Sequence, residues 1–163
     1  MNKEKINILI VDDEEDFLNS ISKRLEARDF TVTSVNRGEK AIEAAREKKN
    51  IDIALVDLKM PGLDGENTLK TLKEEHPFME IVMLTGHGSI DSAAKCSRMG
   101  AHSYLQKPCK LDELLEALKN AYKKKVMHKK QIDEEKMGEL LQLSLTTSAR
   151  DILRRLKEID KKS

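Results

Sequence analysis

Tryptophan is absent from this 163-residue chain, and aromatic residues make up only 3% of it. Such a chain offers few flat rings on which bases could stack, although phosphate contacts remain open to it. Cysteine is scarce as well. Cys96 and Cys109 have neither metal-ligand spacing nor a disulfide pattern, and they read as reduced thiols of a cytosolic protein. No apolar stretch approaches the length needed to span a bilayer, and the N-terminus has no apolar h-region, so neither export nor membrane insertion is expected. Net charge is also nearly missing, at +1. That balance conceals an asymmetry. Residues 1–119 carry 18 Lys+Arg against 22 Asp+Glu, net −4, whereas residues 120–163 carry 12 against 7, net +5. An acidic body with a basic tail implies two functional units.

What the chain does have is alternation. Apolar runs at Ile6–Val11, Ile51–Val56 and Ile81–Leu84 read as buried strands, the more polar Thr31–Val35 as a strand near a sheet edge, and His102–Leu105 as a fifth. Between them lie helix-period segments. Phe17, Leu18, Ile21 and Leu25 mark the first, and Ala41, Ile42 and Ala45 the second. The third runs through Leu69 and Leu72 and stops before Pro77. The fourth is capped by Ser89 and ends at Gly100; Leu111, Leu114, Leu115 and Leu118 open the fifth. Five βα units with right-handed crossovers predict an α/β fold, a (βα)5 doubly wound parallel sheet with helices on both faces. Beyond about Ala121 the pattern predicts a long helix and a break at Leu145–Ser148. A short helix lined by Ile152, Leu156 and Ile159 follows, and neither tail helix can bury its apolar stripe alone.

The chemistry-bearing residues stand where strands end. Asp12 and Asp13 follow the first strand, Asp57 the third, Thr85 ends the fourth, and Lys107 follows the fifth. In a parallel sheet those ends share one edge, where open α/β folds bind ligands. Two unit charges 4 Å apart repel by roughly 4 kcal/mol at an effective dielectric near 20, so three carboxylates there need compensation. Mg2+ answers that need: it takes oxygen ligands, keeps waters and bridges to phosphate. Lys107 adds a second positive charge and Thr85 a hydroxyl donor. Asp57 can then act as nucleophile toward a phosphoryl group.

Asp12-Asp13, Asp57 with Met60-Pro61-Gly62-Leu63-Asp64-Gly65, Thr85-Gly86, Tyr104 and Lys107-Pro108 stand in order at strand ends. Together they resemble the receiver domain of bacterial two-component response regulators, over about residues 5–122. The resemblance implies the flavodoxin-like strand order 2-1-3-4-5 and a phosphoryl group passing to Asp57 from a sensor histidine kinase or a histidine phosphotransfer protein. It further implies Asp13 and Asp57 as direct Mg2+ ligands, the Lys59 backbone carbonyl as another, and Asp12 acting through water. Thr85 and Tyr104 would form a switch pair altering contacts with a downstream protein target. It also implies a cis Lys107-Pro108 bond. The chain would then divide into a receiver, residues 1–122, and a basic helical extension, residues 123–163. That extension could be a helix-turn-helix-like hairpin, a docking segment, or the seat of a homodimer.

Plainer readings compete. Asp12-Asp13 alone would serve as acids at a helix N-terminus. A haloacid-dehalogenase-type phosphatase needs an Asp two residues past the nucleophile, and that position is Lys59. Nucleic-acid binding by Arg150, Arg154, Arg155 and Lys157 is disfavoured, because two short helices lack the third that supports a helix-turn-helix. His128 lacks the context of a phosphotransfer histidine, and Lys123-Lys124-Lys125 reads as a solvated face. His87 and Lys59 read as rim residues that tune access of water to the site.

Overall fold

The computed structural model describes residues 4–86, 88–146, 153–154 and 157–158. The chain divides into two compact units, residues 1–125 and 126–163.

The first unit is a five-stranded parallel sheet in the order β2-β1-β3-β4-β5, with β1 Asn7–Val11, β2 Thr31–Val35, β3 Ile53–Val56, β4 Glu80–Thr85 and β5 Ser103–Gln106. Helices α1 Glu15–Glu26, α2 Gly38–Glu47, α3 Gly65–Glu75 and α4 Ile90–Arg98 connect them, and α5 Leu111–Thr146 follows β5. The parallel sheet expected from the alternation, and the strand order implied by the resemblance, are those observed.

The apolar runs are continuous because both sheet faces are covered. Successive side chains along a strand point to opposite faces, so each run splits between two layers. Leu9, Val11, Ala54, Val56, Ile81 and Met83 pack with Ala41 and Ala45 of α2, Leu69 and Leu72 of α3, and Cys96 of α4. Ile8, Ile10, Ile53, Leu55, Val82 and Leu84 pack with Leu18, Ile21 and Leu25 of α1 and Leu114, Leu118 and Ala121 of α5. Fully burying one such Leu or Ile side chain stabilises the fold by about 1.5–3 kcal/mol. The polar β2 is an edge strand, as its composition predicts.

The connection between β3 and α3 is fixed by two glycines. Gly62 has φ 78°, in the left-handed region that favours glycine. Gly65 lies so close to β3 that a Cβ there would stand 2.2 Å from the Asp57 carbonyl oxygen. Its N–H donates to the Leu58 carbonyl at 2.7 Å, which closes the loop between Asp57 and α3. Asp64 then caps α3 by accepting from the Asn67 N–H, and Ser89 caps α4 by accepting from the Ser92 N–H.

The tail departs from expectation in one respect. The fifth helix and the long tail helix are a single helix, Leu111–Thr146. Lys129 and Lys136 interrupt the apolar pattern without interrupting the backbone, because lysine is itself a good helix former. Leu145 and Thr146, expected in the break, are helical, as are residues 153, 154, 157 and 158. Ser148, Arg150, Asp151, Ile152, Arg155, Leu156 and Ile159, like His87, lie outside the described residues. Among the described residues, no helix is long and apolar enough to cross a membrane.

Candidate functional site at the carboxyl edge of the sheet

The strand register sets the site. Val11 is level with Val56, Val56 with Met83, and Met83 with Tyr104. The residues that follow these strands therefore emerge side by side. The Asp12 N–H donates to the Val35 carbonyl, the Asp57 N–H to Val11, and the Lys107 N–H to Thr85. Each functional residue is thus pinned by a ladder bond at the sheet's end.

Asp12, Asp13 and Asp57 each offer a carboxylate oxygen, and these oxygens lie within 4.8 Å of one another. Asp12 and Asp57 are only 2% and 3% exposed, while Asp13 faces solvent. Lys107 Nζ reaches Asp12 Oδ2 at 2.6 Å and Glu14 Oε1 at 3.8 Å, and sits 4.0 Å from the centroid of the Phe17 ring. Asp12 Oδ1 accepts the Glu14 N–H at 2.9 Å. This holds the turn into α1, whose N-cap residue, Glu14, makes no side-chain cap of its own.

Burial dominates the electrostatics. Burial pushes the Asp12 carboxyl up from its ordinary value; the hydrogen bond from Lys107 opposes it most strongly. Burial also raises Asp57, and the neighbouring Asp12 adds to the rise, against the Lys107 charge and hydrogen bonds from Thr85 and the backbone at Leu58. Asp57 Oδ1 is buried with no hydrogen-bond partner. A buried carboxylate oxygen left in that condition costs free energy unless something positive meets it. Three hard oxygen donors, one of them orphaned, beside a single ammonium, fit a divalent cation with waters in its remaining positions.

Thr85 is fully buried beside Asp57. Tyr104 is half-buried and packs against the core layer under α2, α3 and α4. Its hydroxyl lies so close to Gly88 that a Cβ there would stand 2.4 Å away. Burial pushes the Tyr104 phenol up. Lys59 is exposed two residues past Asp57, and the Lys107-Pro108 bond is cis.

Sequence reasoning missed Glu14 and Phe17 as neighbours of the ammonium. Phe17 was read as core, but it is half-buried and carries Lys107 on its ring. The usable signal was its place on α1, one turn past Asp13. Beside Lys107 a cavity of about 490 Å3 opens between α1 and the start of α5, lined by Phe17, Ile21, Leu84, Pro108, Leu111 and Leu114 among others.

Comparison with known proteins agrees with the geometry. The response regulator receiver domain family matches residues 8–119. The DNA-binding transcriptional regulator NtrC of Escherichia coli is 32% identical over 114 residues, which is 70% of this chain and 24% of that protein. The regulatory protein LuxO of Vibrio cholerae is 37% identical over 105 residues, 64% of this chain and 23% of LuxO. Among solved structures, a response regulator receiver domain protein from Clostridium thermocellum superposes with a TM-score of 0.72 at 33% identity, covering 75% of this chain and 98% of that one. NtrX from Brucella abortus gives 0.75 at 26% identity, covering 85% of this chain and 33% of NtrX. The chain belongs to the response regulator receiver family, the phosphoacceptor modules of two-component signalling. It spans about a quarter of the length of the curated relatives it matches.

Proposed function

We propose that Asp57 is the phosphoacceptor, taking a phosphoryl group from the phosphohistidine of a sensor histidine kinase or histidine phosphotransfer protein. The observation that carries this reading is the buried, unpartnered Asp57 Oδ1 beside Asp12, Asp13 and Lys107. A carboxylate oxygen attacks phosphorus in line, the new P–O bond forms as the P–N bond to the donor imidazole breaks, and the departing imidazole takes up a proton.

Receiver domains bind Mg2+ at an acidic pocket, and here Asp13 and Asp57 would hold it directly. The Lys59 carbonyl would join them, with Asp12 linked through water. Bound there, the cation neutralises the carboxylates and the phosphoryl oxygens they face. Lys107 supplies the second positive charge. Held by Asp12 and Phe17, it needs little reorientation to meet an incoming anion. The apolar cavity beside it gives a donor helix a surface to rest on.

Phosphorylation replaces one negative charge by nearly two and adds acceptor oxygens. Thr85, already hydrogen-bonded to Asp57, is the nearest hydroxyl that can follow them. Tyr104 is the adjoining ring whose packing would respond, and the two together form the switch pair that changes contacts with a downstream protein target. A shift from mostly inactive to mostly active requires differential stabilisation of several kcal/mol. The protein works as a phosphoacceptor that promotes its own phosphorylation and hydrolysis, in the cytoplasm. The test is labelling by a small phosphodonor such as acetyl phosphate with Mg2+. Wild type should become labelled and Asp57→Asn should not; equal labelling of the variant removes Asp57 from the mechanism.

A further inference from the structure

Helix α5 beyond Lys125 carries two different faces. Ile132, Lys136 and Leu140 are half-buried. On another face Met127 is 70% exposed and Met137 59%, with Leu141 exposed as well. Met127, Lys130, Glu134, Met137 and Leu141 repeat at spacings of three, four, three and four. At 100° per residue they fall within an arc of about 80°, the pattern of a two-helix seam. Lys130 and Glu134, which sit at its centre, are exposed and 4.0 Å apart.

Charge decides what could lie along that seam. Lys123, Lys124, Lys125, Lys129 and Lys130 make the first part of this stretch basic; Asp133, Glu134, Glu135 and Glu139, against a single Lys136, make the next part acidic. A parallel second helix of the same sequence would set Lys130 on Lys130 and Glu134 on Glu134. An antiparallel one, with its two-fold axis level with Ile132, sets Lys130 on Glu134 twice over and Met127 on Met137 twice over. Polar pairs at seam positions fix register and orientation in this way, and a two-fold interface must be self-complementary.

We propose that residues 126–138 bind the same segment of a second copy of this chain as an antiparallel helix pair centred at Ile132. Four seam positions pair within this segment, and Leu141 falls opposite Lys123 beyond it, so the interface is small and the dimer weak and concentration-dependent. The pairing does not depend on phosphorylation of Asp57, so its test is separate from the labelling experiment above.

Sedimentation equilibrium on the full chain reads it. Wild type should dimerise at concentrations approaching millimolar. Lys130→Glu alone and Glu134→Lys alone should each raise the dissociation constant about tenfold or more, because two attractive contacts become two repulsive ones. The double reversal in one chain should return it to within about threefold of wild type. Orientation is read by thiol cross-linking on a Cys109→Ser background, which leaves Cys96, fully buried. A disulfide should form between Met127→Cys and Met137→Cys chains when mixed, and not among Met127→Cys chains alone. A wild type that stays monomeric, a dissociation constant indifferent to charge reversal, or cross-linking of Met127→Cys to itself would each overturn the proposal.

Discussion

The two edges of the sheet treat acidic residues in opposite ways. At the carboxyl edge three carboxylates converge beside one ammonium, Lys107, and Asp57 Oδ1 finds no hydrogen-bond partner. At the amino edge the two little-exposed acids, Asp52 and Glu80, each have a lysine near them. Asp52 is paired with Lys125 and accepts the Asn7 N–H at 2.8 Å. Glu80, 1% exposed, has an Oε2 that likewise accepts no hydrogen bond, but Lys124 stands 3.7 Å from it and the Lys73 ammonium, whose pKa burial lowers, lies within its field. Acids that hold a fold together are matched by cations of the chain. An excess left unmatched in a buried place marks a site prepared for a cation and an anion from outside.

The largest expected effect breaks the symmetry of that comparison outright. Asp57→Asn should abolish acetyl phosphate labelling, whereas Glu80→Gln, equally buried at the other edge, should leave labelling per folded molecule intact. Gel autoradiography or intact mass spectrometry reads both.

Next comes metal. Adding Mg2+ at about a hundredfold above its dissociation constant should stabilise the fold by roughly 2.7 kcal/mol. At about 2–4 °C per kcal/mol for a chain of this size, that is a rise in Tm of some 5–10 °C. Asp13→Asn should remove most of the rise, and Lys125→Ala none of it. Scanning calorimetry with and without the cation decides the matter.

Third, the amino edge can be broken without metal. Lys125→Ala leaves Asp52 with only its backbone donor and should cost about 1–3 kcal/mol in urea unfolding, at every Mg2+ concentration. A loss below about 0.3 kcal/mol would mean that the pair is merely superficial.

The smallest effect is in pH. Burial raises Asp12 and Asp57 above the ordinary 3.8, so the folded state holds their protons more tightly than the unfolded chain does. Their contribution to stability is fully present below 3.8 and is lost as pH climbs through the raised values. Without Mg2+, Asp57→Asn should therefore be more stable than wild type near neutrality, and the difference should shrink as pH falls toward 4. Denaturant midpoints at a series of pH values would check the sign.

Most of the first unit was legible because strand ends are. Period-2 burial on two covered faces gave apolar runs that could hardly be anything but parallel strands, and the residues after them had to meet. The amino edge was not legible. Lys124 and Lys125 look in sequence like part of a solvated lysine run, and only the packing of α5 brings them to Glu80 and Asp52. The same holds for Glu14 and Phe17, whose contact with Lys107 spans some ninety residues of chain and follows from no local pattern. A long tail helix was legible past Ala121, but its joining to the fifth helix was not, because the interrupted apolar stripe marks no common face. Helix propensity tolerates lysine at such places, and the stripe changes face instead.

Gly65 carries a last consequence. With no room for even a methyl group between it and the Asp57 carbonyl, the backbone is cinched shut at both ends of residues 58–64. Inside that noose the segment is held again by Met60, buried in the core layer, and by Gly62 in its left-handed turn. The single added carbon of Gly65→Ala should therefore displace Asp57, the proposed phosphoacceptor, further than any substitution at the exposed Lys59.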